Sequence, residues 1–334
     1  MRMVHETRWW LLATLVGGLA LATSCLVRMP GTSFVGAPPE VTAMQRDLAE
    51  SLHAHVATLA GEIGERNTRR PEALAQARDY LAARLGATGL GVERQGFDAD
   101  GTRCENLIVE VPGRSRANEI VVVGAHYDSA EYCPAANDNG SGVAALLELA
   151  RRFAREPLER TVRFVAFVNE EPPHYRTETM GSLVYAKSCR ARGDDVVGML
   201  SLETMGYFLD EPGSQRYPWP FGLFYPSTGN FIGFVGNVGS RALVSRSTEV
   251  FRRAVSFPSE GAALPGWVPG IGWSDHWSFW QAGYPGLMVT DTAPFRYPHY
   301  HRPTDTPDRI DYVRLARVVE GVREVVRDLG SAAR

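Results

Sequence analysis

The sequence predicts a three-layer α/β/α domain built on a central mixed, mostly parallel sheet. Three observations carry that prediction. Short runs such as Val121–Val123 and Thr161–Val168 are apolar along their length rather than alternating, which suits strands buried on both faces. Segments with apolar residues at helical spacing stand between these runs, so strands and helices alternate along the chain. Several of the runs stop at histidine or acidic residues, and the C-terminal edge of such strands is where open α/β sheets keep their ligands.

The first 28 residues stand apart. Trp9 to Val27 carries no charge and is preceded by Arg2 and Arg8, which allows a signal peptide or an uncleaved membrane anchor. Ala22, Thr23 and Ser24 before Cys25 also allow a lipoprotein-type cleavage site. All three readings export the rest of the chain, as a secreted, periplasmic or membrane-attached protein. Residues 29–40, rich in Gly and Pro from Pro30 to Pro39, read as a linker. Residues 41–334 then form a single domain of about 290 residues, within reach of one large core. The composition, 44% hydrophobic and 22% charged, is that of an ordinary globular protein, and a net charge of -3 gives no support to a nucleic-acid partner. Export places Cys104, Cys133 and Cys189 in an oxidising compartment, where a Cys133–Cys189 disulfide is expected. One cysteine per neighbourhood excludes a CxxC zinc site.

Helical spacing covers Val41 to Ile63 and Pro71 to Leu85, the second opening on a proline suited to a first turn. Strands are expected at Gly91–Phe97, at Asn106–Val111 and in the run that enters His126. The helix Val143–Phe153 and the strands Thr161–Val168 and Val196–Leu202 follow. Asp210 to Asn230 is dense in Pro, Gly and aromatic residues without any period, which reads as an ordered loop or lid. A strand at Phe231–Val235, a helix at Ser240–Val255, a short helix from Ser274 to Trp280, a strand at Leu287–Thr290 and an amphipathic helix at Val313–Leu329 complete the chain.

The chemistry concentrates in VVVGAHYDSAEYCPAANDNGSG, Val121 to Gly142. His126 and Asp128 are two apart, so extended backbone points both the same way, and a carboxylate there holds the imidazole in the orientation a metal requires. Asp138 sits in a turn that Asn139, Gly140 and Gly142 allow to bend. Singly, each has an ordinary structural reading: a satisfied polar pair, or a helix start with its cap. Neither the dinucleotide fingerprint nor the P-loop lysine is present. Glu170 and Glu171 follow the TVRFVAFV strand; adjacent side chains on extended backbone point to opposite sides, so one can bind metal while the other addresses a water. Glu203 ends another apolar strand in SLETMGY.

Taken in order, GAHYDS, NDNGSG, VNEE, Gly181-Ser182, LETMGY, SDHWSFWQAGYPG and YHRPTDTPD resemble the co-catalytic di-zinc aminopeptidases of clan MH, the group of bacterial leucyl aminopeptidase, aminopeptidase S and aminopeptidase Y. The likeness runs from about Pro71 to Tyr312. It implies a zinc-exopeptidase fold, peptide substrates and two Zn2+ ions bridged by Asp138. His126 and Glu203 would complete one ion, Glu171 and His301 the other. Glu170 matches the general base and Asp128 the carboxylate behind the histidine.

There are departures. Many relatives have Asp where this chain has Glu203, and no tyrosine stands ahead of Ser274, where relatives often place one to bond the intermediate. His276 is a candidate substitute or part of a substrate network with Asp275, and a structural role for SDH weighs equally. The resemblance, through the family's spacing to Asp305 and Thr306, selects His301 over His299, and it assigns no role to His174. A glutaminyl-peptide cyclotransferase with one zinc, a carboxypeptidase or dipeptidase of the same clan, and a non-catalytic ectodomain are the rival readings. NDNGSG, the complete ligand set and Asn169 before the glutamate pair favour a peptidase over the cyclotransferase, and the metal site fixes peptide hydrolysis better than it fixes which end is cut. The aromatics of Asp210–Asn230, with Trp267, Trp273 and Trp277, predict an apolar pocket for the first residue of the peptide.

Overall fold

Thr42 starts the first helix. Its hydroxyl accepts the Gln45 N–H at 3.1 Å while the Gln45 side chain accepts the Thr42 N–H at 3.2 Å, a reciprocal cap that satisfies two donors at once. The computed structural model describes residues 27–331, so the signal, anchor and lipid-attachment readings lie outside the described residues. The helices are α1 (Ala43–Val56, its last turn widening to Ile63), α2 (Pro71–Gly86), α3 (Gly142–Phe153), α4 (Gly181–Arg192), α5 (Arg241–Ala254), α6 (His276–Gln281), α7 (Ala293–Arg296) and α8 (Tyr312–Ser331).

The strands are β1 (Val92–Ala99), β2 (Thr102–Val111), β3 (Arg116–His126), β4 (Arg160–Phe167), β5 (Asp195–Glu203), β6 (Ile232–Asn237), β7 (Ser259–Leu264) and β8 (Gly286–Thr290). They form one sheet in the order β1-β2-β4-β3-β5-β8-β6-β7. The central strands β4, β3, β5 and β8 run parallel, as do β6 and β7; β1, β2 and the β6–β8 pair add the antiparallel links. Their burial explains the unbroken apolar runs: Ile120 to His126 and Phe164 to Phe167 are buried residue by residue. Helices α1, α2, α3, α5 and α8 pack one core against one face, where Leu52, Leu81, Leu146, Phe251 and Val322 meet the sheet. On the other face Tyr185 of α4 and Phe279 of α6 close over Phe167 and Val122. This is the three-layer arrangement expected, with the C-terminal ends of β3, β4 and β5 at one edge.

Three elements were not foreseen, one of them the single turn α7. In α4, Lys187, Arg190 and Arg192 interrupt small apolar residues, so its amphipathic signal is weak. In β7 the sequence SEGAAL lacks β-branched residues, and pairing with β6 holds it extended. The Cys133–Cys189 disulfide is a correction: Cys104, Cys133 and Cys189 are all free and buried, and Cys133 sits with Ala130 and Ala135 while Cys189, on α4, belongs to the separate cluster of Val122 and Phe167.

Residues 28–41 have no regular structure, yet they are tied down. The Arg252 guanidinium donates to the carbonyls of Met29 at 3.3 Å and of Pro30 and Gly31 at 3.1 Å, and Ser33 Oγ accepts the Ser259 N–H at 2.9 Å. Among the described residues no helix is long and apolar enough to cross a membrane.

Candidate active site

β3 ends at His126 and β5 at Glu203, while β4 runs out through Val168 into Glu170 and Glu171, so all four side chains reach one sheet edge. The loop from Ala136 to Ser141 brings Asp138 between them. That loop is clamped from several sides. Asn139 accepts the N–H groups of Gly142 and Thr204, both at 3.1 Å, and donates to the Leu202 carbonyl at 2.7 Å. Asn137 donates to Asp291 at 2.8 Å and accepts the Gly206 N–H at 2.9 Å. Asp305 accepts the N–H groups of Asn137 and Asp138 at 2.8 and 3.1 Å. Gly142 is required by close approach, because a Cβ there would stand 2.3 Å from the Leu202 carbonyl oxygen.

The result is a pair of ligand groups that share Asp138: His126, Asp138 and Glu203 in one, Asp138, Glu171 and His301 in the other. His126 Nε2 lies 3.4 Å from Asp138 Oδ1 and 3.3 Å from Glu203 Oε2. His301 Nε2 lies 3.0 Å from Asp138 Oδ2 and 3.1 Å from Glu171 Oε1. Ligands about 2.1 Å from a tetrahedral zinc are separated by about 3.4 Å, so these spacings fit a divalent ion within each group. The unsatisfied atoms agree: His126 Nε2, Asp138 Oδ2 and Glu171 Oε1 are buried without a hydrogen-bond partner.

Charge gives the same result. Burial pushes Glu170 well above the ordinary carboxylate range, and Glu171 and Glu203 add to the push against the opposing pull of His126. Burial, opposed by His126, brings Glu203 up to about 8. For Asp138 the contacts with His126 and His301 outweigh burial and hold the carboxyl well below its usual range. Packed carboxylates of this kind call for cationic charge at their centre.

Asp128 has no place in either group. It lies behind His126, with Oδ1 3.5 Å from Nδ1, and it accepts the N–H of Glu170 on Oδ1 at 3.1 Å and that of Glu171 on Oδ2 at 3.0 Å. Glu170 Oε2 is 3.9 Å from His126 Nε2 and is absent from both groups, so its carboxyl is left to face a cavity of about 170 Å³. Ser274 donates to Glu203 Oε2 at 2.7 Å. Asp275 is buried with both carboxylate oxygens unpartnered. His276 turns elsewhere: its Nε2 is 2.7 Å from the Ile271 carbonyl and its ring packs edge-on against Trp280. His299 meets Thr304 at 2.8 Å, and His174 is held between Thr68 and Thr179.

Tyr300 and Tyr175 were not foreseen. Both line the cavity that holds Asp138, Glu170, Glu171 and His301. Tyr300 stacks on His301 with ring centroids 3.9 Å apart, whereas the Tyr175 hydroxyl already donates to the Gly272 carbonyl at 3.2 Å. The signal for Tyr300 is its place beside His301 in YHRPTDTPD. Glu203, Trp273 and Tyr300 also border a second cavity, of about 100 Å³, walled by Phe221, Phe231, Val268, Ile271, Met288 and Phe295. The segment 210–230 supplies Gln215, Tyr217, Pro218, Phe221 and Tyr225 to that wall.

An α/β/α sheet edge that gathers imidazoles and buried carboxylates around a shared aspartate, beside a further buried glutamate that faces a cavity, defines a metallohydrolase. Residues 106–326 match peptidase family M28, and the chain belongs to that family. Uncharacterized protein YfbL of Escherichia coli (strain K12) is 35% identical over 282 residues, 82% of this chain and 86% of that one. Leucine aminopeptidase 1 of Arthroderma otae is 25% identical over 297 residues, covering 85% and 71% of the two chains. In fold the chain is similar to BSAP, a zinc aminopeptidase from Bacillus subtilis, with a TM-score of 0.68 at 16% identity over 85% of this chain and 95% of that one.

Proposed function

We propose that the protein is an aminopeptidase that holds two zinc ions bridged by Asp138 and removes residues from the N-terminus of peptides. The observation that carries this reading is the division of Asp138, whose two oxygens face different histidines at 3.4 and 3.0 Å. Four buried carboxylates, Asp138, Glu170, Glu171 and Glu203, match the charge of two divalent ions when both imidazoles are neutral. Zinc bound here supplies Lewis acidity, polarising the scissile carbonyl and lowering the pKa of water.

The chain's own residues do the rest. Glu170 takes the proton of the attacking water and returns it to the leaving amine. Asp128 fixes the Glu170 and Glu171 backbone and the His126 ring together. The Tyr300 hydroxyl, at the boundary of the two cavities, donates to the oxyanion as it develops. The apolar cavity takes the first side chain of the peptide. The charge-free stretch Trp9–Val27 supports a place outside the cytoplasm, which fractionation of cells producing the chain tests.

A panel of aminoacyl reporter substrates, assayed with and without a chelator and alongside metal analysis, tests the activity. Release of N-terminal residues, loss on chelation and a zinc content close to two per chain are expected. Cyclisation of an N-terminal glutaminyl peptide with a single zinc overturns the reading in favour of the cyclotransferase.

A further inference from the structure

We propose that the face formed by the tip of the segment 210–230 and the loop after β7 rests on a lipid bilayer. Trp219 is 89% exposed, Leu223 78%, Trp267 84% and Phe224 39%, an unusual amount of apolar surface for one region of a protein in water. These side chains flank one buried cluster. Phe221 and Tyr225, from the same segment, pack with Val268, Ile271 and Leu264, and Val27 packs against that cluster too. The described chain therefore begins beside the exposed aromatics.

What precedes Val27 identifies the occupant. Trp9 to Val27 is 19 residues without a charge, about 28 Å as a helix against a hydrocarbon core of about 30 Å. A retained anchor leaves the membrane at Val27, and a lipid on Cys25 would be attached two residues earlier. Either arrangement puts the bilayer at the same point. The connection has little slack, because Arg241 donates to the Arg28 carbonyl at 3.3 Å and Arg252 to the three carbonyls that follow. Met29 lies across Gly261, where a Cβ would stand 2.5 Å from its Cγ. A short, docked strap fixes which face meets the lipid, and it is the face that carries Trp219 and Trp267.

The side chains suit that place. Tryptophan is favoured at the headgroup boundary, where its ring is apolar and its N–H stays wet, and the exposed Arg28 and Arg216 offer charge to anionic headgroups. A tether and an apolar patch together form the two signals that stable attachment needs. Tyr217, Pro218 and Phe221 also wall the apolar cavity, so the bilayer would lie beside its mouth and favour peptide ends displayed at the membrane. The surface stands apart from the hydrolytic reading, and its test needs no turnover.

The full chain is reconstituted into phosphatidylcholine and phosphatidylglycerol vesicles with brominated acyl chains, and tryptophan emission is compared with the Trp219→Phe, Trp267→Phe and double variants. Trp9 and Trp10 contribute equally to all of them, so the difference between wild type and variant isolates the patch. The expected result is that bromolipid removes most of that difference while aqueous iodide leaves it. Emission from Trp219 and Trp267 that iodide quenches and bromolipid spares places the face in water and overturns the proposal. Emission sheltered from both means that protein covers it, a second copy or residues 1–26, and overturns it equally. Agreement of the single variants with the double guards against a folding defect in one of them.

Discussion

Asp128 and Glu170 are joined through the backbone: the Glu170 N–H donates to Asp128 Oδ1 at 3.1 Å, and the next N–H, that of Glu171, donates to Oδ2 at 3.0 Å. One carboxylate thereby sets the position of the proposed proton acceptor and of a metal-ligand candidate. Asp128→Asn turns an amide N–H toward one of these donors and shifts both glutamates. Loss of a partner of this kind costs about 10- to 100-fold in metal affinity or activity. Glu170→Gln differs in kind: turnover should fall about 10²- to 10⁴-fold with zinc content unchanged, since Glu170 belongs to neither ligand group. Asp138→Asn should lose metal from both. Zinc analysis of each purified variant beside kcat/KM decides, and a zinc-free Glu170→Gln would sink the division of roles.

The tyrosine pair makes a sharper test. Tyr300→Phe keeps the ring that stacks on His301 and removes only the hydroxyl. If that hydroxyl stabilises the oxyanion, kcat should fall about 10²- to 10³-fold while KM moves little. Tyr175→Phe should be mild by comparison, because its hydroxyl is already committed to the Gly272 carbonyl. Equal losses in the two variants, or none in Tyr300→Phe, would place the donor elsewhere.

Selectivity should follow the apolar cavity. Its walls of Phe231, Val268, Ile271, Met288 and Phe295 suit Leu, Phe or Met as the first residue, and a charged side chain there loses its water without compensation. Glu260 also borders the cavity, but its Oε2 lies 3.6 Å from the Arg252 guanidinium, which occupies it. Substrates beginning with Lys or Asp should therefore fall about 100-fold or more below Leu in kcat/KM. Ile271→Asp should narrow the gap between Leu and Lys. A wild-type preference for Lys would show that Glu260, rather than the apolar wall, sets selectivity.

How far the sequence reached follows from where each signal is stored. The strands leading to His126, Glu170 and Glu203 were legible because each is buried on both faces and so carries an unbroken apolar run. The side chains that meet around Asp138 were legible because the motifs that resemble the family mark their positions. Tyr300 escaped, since its ring lines the cavity stacked on His301, a residue with φ of 55° in a turn whose course the sequence does not announce. Asp305 read as a spacing mark, yet it accepts the Asn137 and Asp138 N–H groups across 168 and 167 residues of chain. Arg66 was silent in sequence and is fully buried, donating to the Tyr127, Pro134 and Ala135 carbonyls that flank the site loop. The disulfide failed because a cysteine count holds no information about which cluster each thiol enters.

Away from the site, Glu148 on α3 couples stability to pH. It is 2% exposed; Ser51 donates to its Oε1 at 2.6 Å, Arg151 donates to Oε2 at 2.6 and 3.1 Å, and His55 Nε2 lies 3.5 Å away. Burial would raise this carboxyl, but the contacts with His55, Arg151 and Ser51 outweigh burial and bring it down to about 2, against 4.5 for an unperturbed glutamate. A carboxyl depressed by folding stabilises the native state above its unfolded pKa, and that contribution is lost as pH falls through the folded value. The contribution should be fully present above about pH 5, decline below it and vanish near pH 2, with a magnitude of about 3 kcal/mol. Glu148→Gln removes the titration and keeps the shape. Urea unfolding from about pH 6 down to about pH 3 should show wild type losing stability more steeply than the variant, with the two converging in acid. Parallel curves over that range would mean that Glu148 titrates in the native protein as it does in the unfolded chain.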